Sequence, residues 1–296
     1  MATEPAVRPR RRINLTWVLG LAAAGLLTSA CGAGSAAPAQ AADPHQTPAR
    51  HQSTVAARPA TSASTRPAST APSAPVRPPL AGVVVGIDPG HNGGNFTDPS
   101  FLGQQIWNGR EEEDCDTTGT ETDGGYTEVQ YNFNVAGYLR ADLLRDGARV
   151  VMTRTSNRGL GPCVNRRAQI IDDAHASVAI DIHADGAPTS GRGFAVLEPV
   201  ADGSNDRVIT SSGRLGGDVR AAMLAGTPMP VSNYDGVDGI THRDDLAGLN
   251  LTTVPKVLIE CGNMRNPTDA RLLTSAGFQQ QVARALAAAM IRFLGQ

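Results

Sequence analysis

The chain has 296 residues, with 26 basic and 28 acidic side chains and a formal charge of −2, so it offers no basic footprint for nucleic acid. Arginine supplies 25 of the basic residues; Lys256 is the one lysine. At the N-terminus, Arg8, Arg10, Arg11 and Arg12 precede an apolar stretch from Leu15 to Leu27, and small residues follow around Cys31 and Ala39-Gln40-Ala41. That layout predicts a secretory signal peptide over 1–31, with cleavage as late as 42. The stretch is diluted by Ala and Gly and is shorter than the roughly 20 residues a spanning helix needs, so no stable transmembrane span is expected. Leu-Thr-Ser-Ala-Cys echoes a bacterial lipoprotein signal, but its leucine stands one place too far upstream, so anchoring through Cys31 is not favoured. Arg11-Arg12-Ile13-Asn14-Leu15 echoes a twin-arginine signal without the usual phenylalanine.

Residues 32–80 are almost wholly Ala, Pro, Ser, Thr and Arg, and bury too little apolar surface to offset the entropy of ordering. They read as a disordered linker. Residues 81–296 are of ordinary single-domain size and can bury a sizeable core. There, Val83–Ile87 reads as a buried strand, and Val129, Phe133, Ala136, Leu139 and Leu143 recur at helical spacing before a stop at Gly147. Strands are expected at 149–153, 178–182, 193–197 and 257–259; helices at 164–174, around Leu215, Val219 and Met223, and from Phe278 to Phe293. The alternation predicts an α/β domain whose sheet is covered by helices on both faces.

Polar residues then stand out at strand ends. His91 follows the first strand beyond a turn expected at Pro89 and Gly90, His183 ends "VAIDIH", Glu260 ends "KVLIE", and Glu128 opens the first long helix. Open α/β sheets place their sites at such edges. Two imidazoles and one carboxylate form a common catalytic zinc set with an open position for water, and a second carboxylate can serve as base. Singly, each has a plainer role: a histidine at a strand end is usually a hydrogen-bonded loop residue, and a glutamate at a helix start is a partner for the helix dipole.

Four segments carry more. "GIDPGHNGG", "TEVQYNFNVAGYLRADLLRDGARVVMTR", "NRRAQIIDDAHASVAIDIHADG" and "VPKVLIECGNMRNPTDARLL" resemble, in order, spacing and flanks, the zinc-dependent N-acetylmuramoyl-L-alanine amidases of the amidase-3 type. The resemblance implies one catalytic domain over 81–296, with a twisted, mixed and mostly parallel sheet. It further implies that His91, Glu128 and His183 hold Zn²⁺ and that Glu260 is general base and acid. The implied reaction is hydrolysis of the amide between N-acetylmuramic acid and the L-alanine of the stem peptide, so peptidoglycan or muropeptides are the expected partners of an exported, monomeric enzyme. Two other readings share these residues: a non-catalytic wall-binding or activator protein of the same fold, and a zinc peptidase acting on the stem peptide.

The chain also departs from the family. Asp181 and Asp185 flank His183 where the family often has serine and asparagine. Residues 92–127 are long and include "REEEDCDTTGTETD", expected as a mobile acidic loop beside the site, without EF-hand spacing. "HRDDLAGLNL", residues 242–251, resembles a cleft-lining segment in which Arg243 and Asn250 could hold substrate carboxylate or amide groups, against the plainer roles of salt bridge and turn. Cys115 and Cys163 both fall in loops, and a bridge between them is expected in an oxidising compartment. Cys261 reads as a buried small hydrophobe.

Overall fold

A computed structural model describes residues 77–295 of the chain. The expected signal peptide with Cys31, and the linker up to residue 76, lie outside the described residues. Packing begins at Leu80, which is fully buried and donates its N–H to Asp146 O (2.9 Å), so the last residue of the expected linker already belongs to the core.

In chain order the elements are β1 (Val84–Pro89), α1 (Pro99–Leu102), β2 (Gln105–Trp107), β3 (Glu112–Asp114), α2 (Glu128–Arg145), β4 (Arg149–Met152), α3 (Val164–Asp173), β5 (Val178–Asp185), β6 (Ala195–Pro199), α4 (Ile209–Gly226), β7 (Ile240–Arg243), α5 (Ala247–Asn250), β8 (Lys256–Asn263), α6 (Pro267–Leu273) and α7 (Ala276–Phe293). Among the described residues the main sheet has six strands in the order β4-β1-β5-β8-β6-β7. The first four run parallel, while β6 pairs antiparallel with β8 and parallel with β7. The expected mixed, mostly parallel sheet is therefore present, and β7 is a strand that the sequence pattern did not announce.

Alternation along the strands decides what each face receives. Val85 and Ile87 of β1, Val178, Ile180 and Ile182 of β5, and Val257 and Ile259 of β8 join the large core that includes residues of α2, α4 and α7. On the opposite face, toward α3 and α5, the same three strands present Asp88, then Asp181 and His183, then Lys256, Leu258 and Glu260. Polar chemistry thus sits on one face of strands that are buried on both.

Helix α2 starts where it does because Thr127 caps it, its Oγ1 accepting from Gln130 N at 3.4 Å, and it ends before Gly147, whose φ of +92° suits the left-handed turn. The acidic segment expected as a mobile loop is instead built: β2 and β3 form a hairpin, Cys115 N donates to Gln104 O (2.8 Å), and Cys115 is bridged to Cys163. The disulfide and this local pairing hold in place a stretch whose composition alone disfavours strands. No described helix is long and apolar enough to cross a membrane.

Candidate active site

Three side chains converge at the C-terminal edge of the parallel strands. His91 lies two residues past β1, Glu128 is the first residue of α2, and His183 is on β5. Glu128 Oε1 lies 2.8 Å from His183 Nδ1 and 3.3 Å from His91 Nε2, and one donor atom from each of the three falls within 4.8 Å of the others. Glu128 is 4% exposed, and it is fixed by Thr120 N donating to Oε2 (3.0 Å) and Ala184 N to Oε1 (3.3 Å).

The turn that aims His91 is strained. His91 itself adopts φ +55°, a region that L side chains rarely enter and that concentrates at functional positions. Pro89 is still strand, and Gly90 serves instead to clear space, since a Cβ there would stand 2.1 Å from His183 Nε2. The missing side chain makes room for the second histidine. Arg154 ties this turn to α2, donating to Pro89 O (2.8 Å), Gly90 O (3.3 Å) and Val129 O (3.1 Å).

Each histidine has a carboxylate behind it. His91 Nδ1 lies 3.1 Å from Asp116 Oδ1, and Asp116 Oδ2 accepts from Asn92 Nδ2 (2.9 Å) and Arg167 Nη2 (3.3 Å). Arg167 is buried and donates to Asp88 Oδ1 (2.8 Å). His183 Nε2 lies 3.3 Å from Asp181 Oδ1. Sequence reasoning missed Asp116. Its signal was its place beside Cys115, whose bridge to Cys163 brings this segment to the start of α3.

The electrostatics favour a cation among these donors. Burial lowers the affinity of His91 for a proton, but Glu128 and Asp116 outweigh it and push its pKa up to about 9. Burial opposes the charge of His183 too, yet Asp181 and Glu128 hold its pKa well above the ordinary value. Glu128, despite burial, is held well below the usual carboxylate range by the two imidazoles. The carboxylates around the rings thus stabilise positive charge at this point, and two imidazoles with a carboxylate, once the rings give up their protons, make a donor set fitted to a divalent metal, with outer carboxylates at both rings as the usual support of metal-bound histidine.

Glu260 stands next to this cluster, its β8 position paired in register with His183. Its Oε2 is buried without a hydrogen-bond partner among the described residues. Burial, with Glu128 and Asp185 adding to it against the pull of His183, pushes its pKa up to about 8. A carboxyl so placed can both take and give a proton near neutral pH.

A cavity of about 230 Å³ opens beside the histidines. Its polar wall includes Asp116, Arg167 and Asp181, and its apolar wall includes Leu246, Leu249 and Leu258; neither Glu128 nor Glu260 lines it. The 242–251 segment therefore reaches the site through its leucines. Arg243 makes a two-pronged pair with Asp245 (2.7 Å each), and Asn250 Nδ2 donates to Asp244 O (2.8 Å) while its buried Oδ1 has no partner among the described residues. Cys261 is buried, as expected, and burial pushes its thiol up to about 12.

This fold and donor set define a class of α/β proteins in which a His–Glu–His group that could hold a metal ion stands beside an unengaged carboxyl. Comparison with known proteins narrows the class. The family profile for N-acetylmuramoyl-L-alanine amidase matches residues 85–292. The N-acetylmuramoyl-L-alanine amidase Rv3717 of Mycobacterium tuberculosis is 39% identical over 218 residues, covering 73% of this chain and 88% of that protein. The crystal structure of the N-acetylmuramyl-L-alanine amidase Ami1 from Mycobacterium smegmatis superposes with a TM-score of 0.69 at 37% identity, over 73% of this chain and 98% of that one. The apo form of Ami1 from Mycobacterium abscessus gives 0.69 at 36%, over 73% and 100%. The chain belongs to the N-acetylmuramoyl-L-alanine amidase family.

Proposed function

We propose that this amidase uses His91, Glu128 and His183 to hold Zn²⁺ and Glu260 to move the proton during hydrolysis of the amide between the lactyl group of N-acetylmuramic acid and the L-alanine of the peptidoglycan stem peptide. Zinc held by those donors would supply Lewis acidity for the scissile carbonyl and the attacking water. Glu260 accepts the proton of the water whose oxygen adds to the carbonyl carbon. It then gives that proton to the L-alanine nitrogen as the C–N bond breaks, releasing a free amine and the muramyl carboxylate. Asp116 and Asp181 keep the two imidazoles turned toward the centre.

The observation that carries this reading is the pairing of an unengaged Glu260 Oε2 with a three-donor cluster one strand away. Its test is product analysis on purified peptidoglycan with and without a chelator. Release of stem peptides with new L-alanine amino termini, lost on chelation, supports it. Cleavage within the stem peptide points to a zinc peptidase, and no cleavage by a folded, zinc-loaded protein points to a wall-binding or activator protein.

The same reading extends to the rest of the chain. Residues 1–31 export the protein, the linker from 32 up to residue 79 spaces the domain from the export signal, and the mature enzyme acts as a monomer outside the cytoplasmic membrane, in the wall or secreted. Arg243 contacts the substrate once it leaves Asp245, while Asn250, fully buried, serves the cleft by holding the 242–251 segment through Asp244 O.

A further inference from the structure

The charges behind the site form one connected series. It runs from His91 through Asp116, Arg167 and Asp88 to Lys256, whose Nζ lies 3.2 Å from Asp88 Oδ2 and 3.6 Å from Asp181 Oδ2, and it closes on His183 through Asp181. Lys256 is fully buried and Asp181 is 7% exposed. A lysine taken wholly out of water is costly unless paired, so a chain with a single lysine places it here for a reason that the packing must supply.

Pairing with Asp88 explains part of it, since Asp88 also accepts from Arg167 and from Thr153 Oγ1 (2.6 Å). It does not explain Asp181. One oxygen of Asp181 turns to Lys256, and the other, Oδ1, has no hydrogen-bond partner among the described residues and faces His183 Nε2 at 3.3 Å. The alternation of β5 puts Asp181 and His183 on the same face, two positions apart, and the missing Cβ of Gly90 leaves room for the His183 ring. The two histidines thereby face their carboxylates with opposite nitrogens: His91 has Nδ1 bonded to Asp116 and Nε2 toward Glu128, and His183 has Nε2 within ion-pair reach of Asp181 and Nδ1 toward Glu128.

We infer that Asp181, oriented by Lys256, is a positioning residue that fixes His183 with Nδ1 toward the metal, as Asp116 oriented by Arg167 fixes His91 with Nε2 toward it. The inference rests on the proposed zinc site, and it assigns the one lysine of the chain to the second support of that site rather than to packing alone. Asp181 acts through the ring it holds and does not touch substrate.

The test compares the full chain carrying Asp181→Ala, which removes the acceptor, with Asp181→Asn combined with Lys256→Met, whose amide is free to turn its oxygen to Nε2–H once the ammonium is gone. Zinc affinity is measured by competition with a chromophoric chelator, and the ring nitrogens of His183 are followed by ¹⁵N NMR. Asp181→Ala should weaken zinc binding about 10- to 100-fold and mix the two ring forms of His183, while leaving His91 signals in place. Asp181→Asn with Lys256→Met should recover much of both. If Asp181→Ala fails to fold, Asp181→Ala combined with Lys256→Met removes both buried charges at once and leaves Asp88 with Arg167; it should show the same zinc loss. Wild-type zinc affinity together with an unchanged His183 pattern in a folded variant carrying Asp181→Ala overturns the inference and leaves the zinc site standing. Zinc binding that is equally tight in wild type and in His91→Ala overturns the zinc site itself, and this inference with it.

Discussion

Glu260 and His183 are register partners on adjacent parallel strands β8 and β5, both on the face turned toward α3 and α5. A backbone pairing therefore sets the distance between the proposed proton carrier and a proposed metal ligand, which is a stiffer connection than a loop would give. Glu260→Asp retracts the carboxyl by one methylene from a fixed backbone position. Turnover of peptidoglycan should fall about 10²-fold with unchanged zinc content. An Asp variant with wild-type turnover would mean that the carboxyl is not held by this pairing.

Asp88 makes the buried charge series sensitive to acid. Burial raises its pKa, but Lys256 and Arg167 outweigh burial and hold it far below the usual carboxylate range. A folded-state value below the unfolded one contributes stability that is fully present above the unfolded pKa of about 4, and that is lost as pH falls below it toward the folded value. Urea unfolding at pH 6 and pH 3 should show this loss. Asp88→Asn leaves Arg167 and Lys256 short of a counter-charge, so it should cost about 3–5 kcal/mol at pH 6 and measurably less at pH 3, where the loss has begun but is not complete. Equal cost at both values contradicts the assignment.

Some of this was legible in the residue pattern and some was not. His91, His183 and Glu260 stood out because apolar runs ended on them, and Glu128 because it opened a periodic helix. The same alternation that puts His183 on the site face carries Asp181 with it, and Lys256 with Glu260, but runs buried on both faces hide a polar face until the partners are known. Asp116 offered one cue, its place beside Cys115, and was passed over because it meets His91 from 25 residues away through a bridged, hairpin-bearing segment whose Asp and Glu content argues against strands. Strand β7 was missed for a related reason: Ile240–Arg243 is four residues long and three of them are polar, so only its pairing with β6 makes it a strand. Composition marks Pro89 and Gly90 as the turn before His91, whereas the positive φ falls on the histidine itself.

The Cys115–Cys163 bridge closes a separation of 48 residues and holds Asp116 behind His91. In the chain-entropy view such a loop is worth on the order of 4 kcal/mol. Thiol labelling of the unreduced, denatured protein should spare both cysteines, and Cys115→Ser with Cys163→Ser should lower both the unfolding midpoint and zinc affinity. Free labelling of both would remove the bridge, and a drop in stability with unchanged zinc affinity would separate it from the site.

Gly90 offers a probe that adds atoms instead of removing a ligand. A Cβ there would meet His183 Nε2 at 2.1 Å, far inside contact distance, so the ring must move. Gly90→Ala should keep the fold and all three ligands, yet bind zinc at least about 10-fold more weakly. Unchanged affinity would show that the ring can shift without cost to the site.

The most direct measurement sets zinc content beside release of L-alanine amino termini in one series of variants. His91→Ala, Glu128→Ala and His183→Ala should each lose zinc, because each removes one of three protein donors. Glu260→Gln should stay folded and keep near-stoichiometric zinc while turnover falls about 10²-fold or more. Wild-type turnover in Glu260→Gln contradicts its role as proton carrier, and loss of zinc from Glu260→Gln with retention in Glu128→Ala would mean that the two glutamates exchange roles.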